Sequence, residues 1–150
     1  MRSILYSPGY GGGWTSWHHG SDEERRFALE YAPFIEAVRA RTDRVRPVEK
    51  RGADLPDDVR AALRKLRSSI GGWTCTDEDD RYVEIPVDLL PLFVAFIEEW
   101  SRRFPGKDIL YTGGMAQLRV MDVPDGSRVR ITEYDGSESV EVEGAQDGWL

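Results

Sequence analysis

The chain has 150 residues, 40% hydrophobic and 31% charged, a composition that suits one globular domain able to bury its own core and excludes a low-hydrophobicity disordered chain. Its net charge of -7 and sequence pI near 4.9 argue against direct binding to a nucleic-acid backbone, which needs a basic surface. The one cysteine, Cys75, excludes an internal disulfide framework and reads as a small packed side chain rather than a nucleophile.

Met1 to Tyr6 holds one basic residue and a short apolar run that Pro8-Gly9 ends, far short of a signal-peptide core, and no stretch approaches the roughly 20 apolar residues of a membrane span. The expectation is a cytoplasmic protein with no membrane partner. Ile4-Leu5-Tyr6 reads as a strand and leads into the glycine-rich segment 7–20. A helix follows, opened by Ser21 and Glu24 in capping-box spacing, with Asp22 and Glu23 adding negative charge at the positive end of the helix dipole. Phe27, Tyr31, Phe34, Ile35 and Val38 recur at helical spacing as its core face, and Pro33 predicts a kink or an early stop.

Residues 39–53 form a basic connection carrying Arg39, Arg41, Arg44, Arg46, Lys50 and Arg51. The second helix has Asp54 as its cap, Pro56 in its first turn and Val59, Leu63, Leu66 and Ile70 as an apolar stripe, and Gly71-Gly72 ends it. Asp77 to Asp80 are four adjacent acids, which lack the alternating spacing of a calcium loop and read as solvated. A short strand is expected at 82–85. A third helix, Leu89 to Phe104, is apolar almost all round and predicts a central buried helix, ended by Pro105-Gly106. Strands are expected at 109–111 and 118–121, then a turn at Val123-Pro124-Asp125-Gly126 and a final hairpin, with a loose tail over 143–150. The whole is a single α+β domain over 1–150: three helices packed on a small, mainly antiparallel sheet with a C-terminal β-meander.

The hairpin can be read in register. A two-residue Asp135-Gly136 loop pairs Tyr134 with Ser137 and then, going down, Glu133 with Glu138, Thr132 with Ser139, Ile131 with Val140, Arg130 with Glu141 and Val129 with Val142. Apolar pairs fall on one face, and on that face Glu133 opposes Glu138. A like-charge pair there costs stability unless something compensates. The candidates are an arginine of the 39–51 segment, a metal, a shared proton or a ligand's donor groups; alternatively both carboxylates stay in water at the hairpin tip.

The glycine-rich segment lies between a strand and a capped helix, where backbone N–H groups often meet anions. It matches no known phosphate loop, and the three acids opening the helix repel phosphate. Tyr10, Trp14 and Trp17 interleave with Gly9, Gly11, Gly12 and Gly13, and His18 and His19 follow. The aromatic faces would suit stacking on a nucleobase and the imidazoles contact with phosphate or acid-base work, while anchoring in the core is the structural alternative. Two adjacent histidines without a spaced third ligand give no metal site, and no catalytic motif is present.

Two segments, Ser7-Pro8-Gly9-Tyr10-Gly11-Gly12-Gly13-Trp14 and Arg130-Ile131-Thr132-Glu133-Tyr134-Asp135-Gly136-Ser137-Glu138, resemble a group of small uncharacterised bacteriophage and prophage proteins. The likeness covers about a quarter of the chain. It implies a phage-related origin, hence a bacterial or infected-host cytoplasm, and a single site in which Glu133, Tyr134 and Glu138 face the glycine-rich loop.

These readings converge on a non-enzymatic protein that needs no cofactor and binds a small nucleotide-like ligand, such as an immune signal sequestered by a counter-defence factor. The ligand-binding set is Tyr10, Gly11, Gly12, Trp14, Trp17, His18, Glu133, Tyr134 and Glu138, with phosphate neutralised by arginines of the 39–51 segment. Two alternatives stay open. One is an acidic inhibitor of a host defence enzyme, of the anti-CRISPR type; the other is a small hydrolase or transferase using His18 or His19 with Glu133 or Glu138. A homodimer is compatible with each.

Overall fold

The computed structural model describes residues 1–11, 13–41, 55–66, 85–143 and 149–150. Among them lie four α-helices and two antiparallel pairs of strands, the expected α+β class. The chain forms two compact units, one made of 1–42 with 110–150 and the other of 43–109. Of the basic connection expected over 39–53, Arg39 instead ends a helix and 42–53 lie outside the described residues, as do the expected helix end with Gly71-Gly72, the acidic run Asp77 to Asp80, the expected strand through Glu84, and Cys75.

In the first unit, β1 (Arg2–Tyr6) pairs antiparallel with β2 (Arg119–Val123), so that Arg2 faces Val123 and Tyr6 faces Arg119. Helix α1 (Asp22–Leu29) starts at the expected capping box: the Ser21 hydroxyl accepts the Glu24 N–H at 3.2 Å, and the Glu24 carboxylate accepts the Ser21 N–H at 2.9 Å. Pro33 then accounts for the split of one expected helix into two. It has no N–H to continue α1, and its ring would press on the carbonyl four residues back. The chain leaves the helix at Glu30, takes an extended step at Tyr31, and restarts as α2 (Ala32–Arg39) with Pro33 in the first turn, where the lost donor costs nothing. Because the phase is reset, the buried residues are Ala28, Leu29, Tyr31 and Phe34, while Phe27, Ile35 and Val38 are only half-buried.

The final hairpin has the expected register at every pair, from Val129 opposite Val142 to Tyr134 opposite Ser137, joining β3 (Val129–Tyr134) to β4 (Ser137–Val142). Asp135 and Gly136 both take positive φ, 48° and 81°, as a type I′ turn requires. Val129 joins Ile4, Leu29 and Val123 in one apolar cluster, with Met121, Ile131, Val140 and Leu150 packed against it. Two expectations change here. β2 and β3 follow each other through the Pro124 turn without pairing, so the meander is two separate ladders, and 109–111 is not a strand. Thr112–Gln117 is a 3-10 helix in which Gly114 approaches the glycine-rich loop closely: a Cβ there would sit 2.8 Å from Gly13 O and Trp14 Cα. Part of the tail is also anchored. Leu150 exchanges backbone hydrogen bonds with Val129 at 2.8 and 3.2 Å, and the Arg130 guanidinium lies 4.8 Å from the Trp149 ring centre.

In the second unit, α3 (Asp57–Leu66) packs on α4 (Leu90–Arg103). α4 buries one stripe, Phe93, Phe96, Ile97 and Trp100, and exposes Pro91, Ala95 and Glu98. It is therefore an amphipathic helix rather than one buried all round. The Trp100 indole N–H donates to Lys107 O at 3.2 Å, tying the chain after the helix back to it.

On the surface of the first unit Arg39 forms an ion pair with Asp122, which also accepts the Ser3 hydroxyl at 2.7 Å. Hydrogen bonds from Arg39 and Ser3 hold the Asp122 carboxyl down at about 2. A depressed folded-state value means that this contribution to stability is present above the ordinary carboxylate range and is lost as pH falls toward about 2. The thermal midpoint of Asp122→Asn should therefore depend less on pH than that of the wild type between about pH 4 and 2, and added salt should shrink the difference because the pair is exposed.

Candidate functional site

The glycine-rich loop and the hairpin tip meet through one buried carboxylate. Glu138 is 2% exposed, and its Oε1 accepts the Ser7 N–H at 2.8 Å. Its Oε2 accepts the Thr15 N–H at 3.0 Å, the Ser16 N–H at 2.9 Å and the Ser16 hydroxyl at 2.7 Å. Ser7 opens the glycine-rich segment and Thr15-Ser16 follow its run of glycines at 11–13, so a single side chain closes the stretch between them. Main-chain bonds extend the seam: the Glu138 N–H donates to Ser7 O and the Gly11 N–H to Asp135 O, both at 2.8 Å, and the Ser137 hydroxyl donates to Pro8 O at 2.6 Å.

This arrangement answers the question posed by the opposed glutamates. Their backbones face each other, but their carboxylates part: Glu138 turns inward to the loop, and Glu133 stays exposed, its Oε2 accepting the Gly136 N–H at 2.8 Å with the Trp17 indole N–H at 3.4 Å. The compensating donors are the loop's own amides and the Ser16 hydroxyl. Arg39 is engaged with Asp122, Arg41 donates to Leu118 O at 3.0 Å, and Arg44, Arg46, Lys50 and Arg51 lie outside the described residues. Burial is the largest influence on Glu138 and pushes its carboxyl above the ordinary range; the Ser16, Ser7 and Thr15 donors pull against it without cancelling it.

The other expected site residues divide into buried and exposed sets. Trp14, expected to stack on a ligand, is 1% exposed, lies against Phe34 with ring centres 6.3 Å apart, and donates its indole N–H to Ala28 O at 3.0 Å. That places it in the core, where its ring offers no face to a ligand. His18 is also turned inward: its Nε2 meets Glu24 Oε1 at 3.0 Å, with both side chains largely buried. Glu24 thus serves as helix cap and histidine partner at once. Burial, the largest influence on its carboxyl, pushes it up, but Ser21 and His18 together outweigh this and hold it low. Gly11 sits at the seam with φ of 87°, and Gly12 lies outside the described residues.

The exposed set is aromatic. Tyr10 is 72% and Tyr134 78% exposed, and each directly precedes one member of the Gly11–Asp135 hydrogen bond. Trp17 is half-buried and pairs with Tyr111, ring centres 6.3 Å apart and planes 31° off parallel. Tyr111 was not singled out by sequence, although the following Gly113-Gly114 is a signal: a Cβ on Gly113 would collide with the Tyr111 ring, so the ring lies across bare backbone. Ser7 and Thr15 leave no mark in the sequence because they contribute through main-chain N–H groups, which every residue but proline carries, and Ser16 adds its hydroxyl to the same kind of contact. Among the described residues, no group of three or more His, Cys, Asp or Glu could hold a metal, and no helix is long and apolar enough to cross a membrane.

No family model, curated protein or solved structure matches the chain.

Two stability predictions follow from the carboxylate. Glu138→Ala strands several buried N–H donors and should cost about 3 kcal/mol in denaturant unfolding. Because the folded-state value of Glu138 is raised, its favourable contribution is complete below the ordinary 4.5 and is lost as pH climbs through the raised value. The stability gap between wild type and Glu138→Gln should therefore narrow with rising pH. Beside it, Thr15 Oγ1 is buried without a hydrogen-bond partner among the described residues. Thr15→Val, which keeps the shape and removes that hydroxyl, should be neutral or stabilising by about 1 kcal/mol in the same assay.

Proposed function

We propose that this chain is a non-enzymatic protein-binding domain whose contact face is the junction between the glycine-rich loop and the tip of the β3–β4 hairpin. The observation that carries this reading is the exposure of Tyr10, Tyr111 and Tyr134, with half-buried Trp17, around a backbone junction held by buried hydrogen bonds. Tyrosine and tryptophan on rigid backbone contribute large contact area at low entropic cost and are enriched at the centres of protein interfaces. Glu133 and Asp135 are exposed among them, and the net charge of -7 adds long-range attraction, so the partner surface is basic. An inhibitor covering a basic site on a host enzyme fits this description, and the likeness to phage proteins supplies a setting for it.

Capture of a nucleotide-like ligand is the second reading, favoured by the open ring faces of Tyr10 and Tyr134. It has lost several groups it relied on. Trp14 is spent on the core, and the Ser7, Thr15 and Ser16 amides are spent on Glu138.

Native mass spectrometry of the protein purified from bacterial cells, with affinity capture from the same lysate, separates the two. The protein-binding reading expects a salt-sensitive protein complex whose affinity falls roughly 30-fold in the Tyr10→Ala/Tyr134→Ala double variant, with folding unchanged. A small molecule of nucleotide-like mass released on denaturation, and no protein complex, would overturn it in favour of the second reading.

A further inference from the structure

We propose that the Trp17–Tyr111 ring pair and the Glu133 carboxylate together form a receptor for one arginine side chain of the partner. The proposal rests on the protein-binding reading and adds the chemistry of its anchor.

Both rings are held in place before any partner arrives. Tyr111 lies across the backbone of Gly113 in space that only glycine leaves open, and Trp17 Cδ1 packs close to Gly13, 3.2 Å from where a Cβ would sit. The ring planes are 31° apart with centres at 6.3 Å: a tilted pair nearer to parallel than to the perpendicular walls of a cage. Such faces suit a flat ion. A guanidinium stacks on aromatic faces with its plane, whereas an ammonium is compact and strongly hydrated.

The acid completes the receptor. Glu133 Oε2 is oriented by the Gly136 N–H at 2.8 Å and lies 3.4 Å from the Trp17 indole N–H, which fixes the carboxylate at the edge of the ring pair. Its second oxygen, Oε1, has no hydrogen-bond partner among the described residues. That oxygen can accept from a guanidinium lying over the rings, and a charge-assisted bond of this kind is among the stronger ones at a surface. Asp135, two residues along and exposed, adds negative charge nearby. Electrostatics and ring quadrupoles therefore favour the same ligand.

The test is a two-dimensional ¹H–¹⁵N titration of the intact protein with three blocked tripeptides, Gly-Arg-Gly, Gly-Lys-Gly and Gly-citrulline-Gly. The arginine peptide should shift the Trp17 indole and Gly136 amide signals saturably, the lysine peptide more weakly, and the neutral citrulline peptide not at all. Glu133→Gln, which keeps the size and hydrogen-bonding shape of the side chain, should weaken the arginine response about five-fold with the other hairpin signals unmoved. Equal shifts from the arginine and citrulline peptides, or an arginine response that ignores Glu133→Gln, would overturn the receptor. The two proposals fail separately. Partner capture that depends on Tyr10 and Tyr134 while Trp17 ignores arginine removes the receptor and keeps the protein-binding reading; an arginine response dependent on Glu133 without any protein partner does the reverse.

Discussion

Glu138 holds together two stretches of chain that are 131 residues apart. An ionised carboxylate in a dry interior is costly unless donors surround it, and here they come from Ser7 on one side of the run of glycines and Thr15-Ser16 on the other. The dependence runs both ways. Without Glu138 the Ser7, Thr15 and Ser16 amides would be buried and unpaired; without the loop, the carboxylate would face Glu133 across the hairpin with nothing to offset the repulsion. The bulk of the hairpin rests on ordinary apolar packing through Val129, but the placement of its tip against Gly11 follows from this one side chain and the main-chain bonds beside it.

That division of labour explains why the loop can carry aromatics of opposite fates only a few residues apart. Trp14 sinks into the core on Phe34 while Tyr10 stands in water and Trp17 lies at the boundary. A flexible glycine-rich segment would pay heavily in entropy to present such rings to a partner. Pinned at Ser7, Gly11, Thr15 and Ser16, it has already lost much of that freedom on folding. The glycines then act less as hinges than as clearings: a Cβ would meet the Ser16 hydroxyl at Gly13, the Tyr111 ring at Gly113 and the Gly13-Trp14 backbone at Gly114.

How much of this was legible in the sequence depended on whether the relevant interaction is local. The hairpin register was readable in full because a two-residue Asp-Gly loop leaves no choice of pairing, and the capping box and the break at Pro33 were readable because both are settled within four residues. The opposition of Glu133 and Glu138 was visible too, together with the need for compensation. Its source was not. Three of the four donors are backbone amides more than a hundred residues upstream, and a backbone amide leaves no mark on residue type. Trp14 failed as a candidate for a related reason: an aromatic beside glycines has the same appearance whether it faces a ligand or the core, and only the approach of Phe34 and Ala28 decides. The apolar triplet 109–111 formed no strand, and Gly113-Gly114 lie in the tight 3-10 turn that follows it.

The division of the chain also sets an order of assembly during synthesis. Residues 43–109 form a continuous unit, but the other unit is split between 1–42 and 110–150, and its first strand finds its partner only when Arg119–Val123 has been made. Contacts that close so long a stretch of chain form late, because the entropy of closure must be met before they contribute anything. Synthesis proceeds from the N-terminus at about 5–20 residues per second, so the glycine-rich loop is made well before Glu138, 131 residues beyond Ser7. The tyrosine-bearing face therefore forms only once the hairpin has been made, and a nascent or truncated chain lacking the hairpin presents no version of it to a partner.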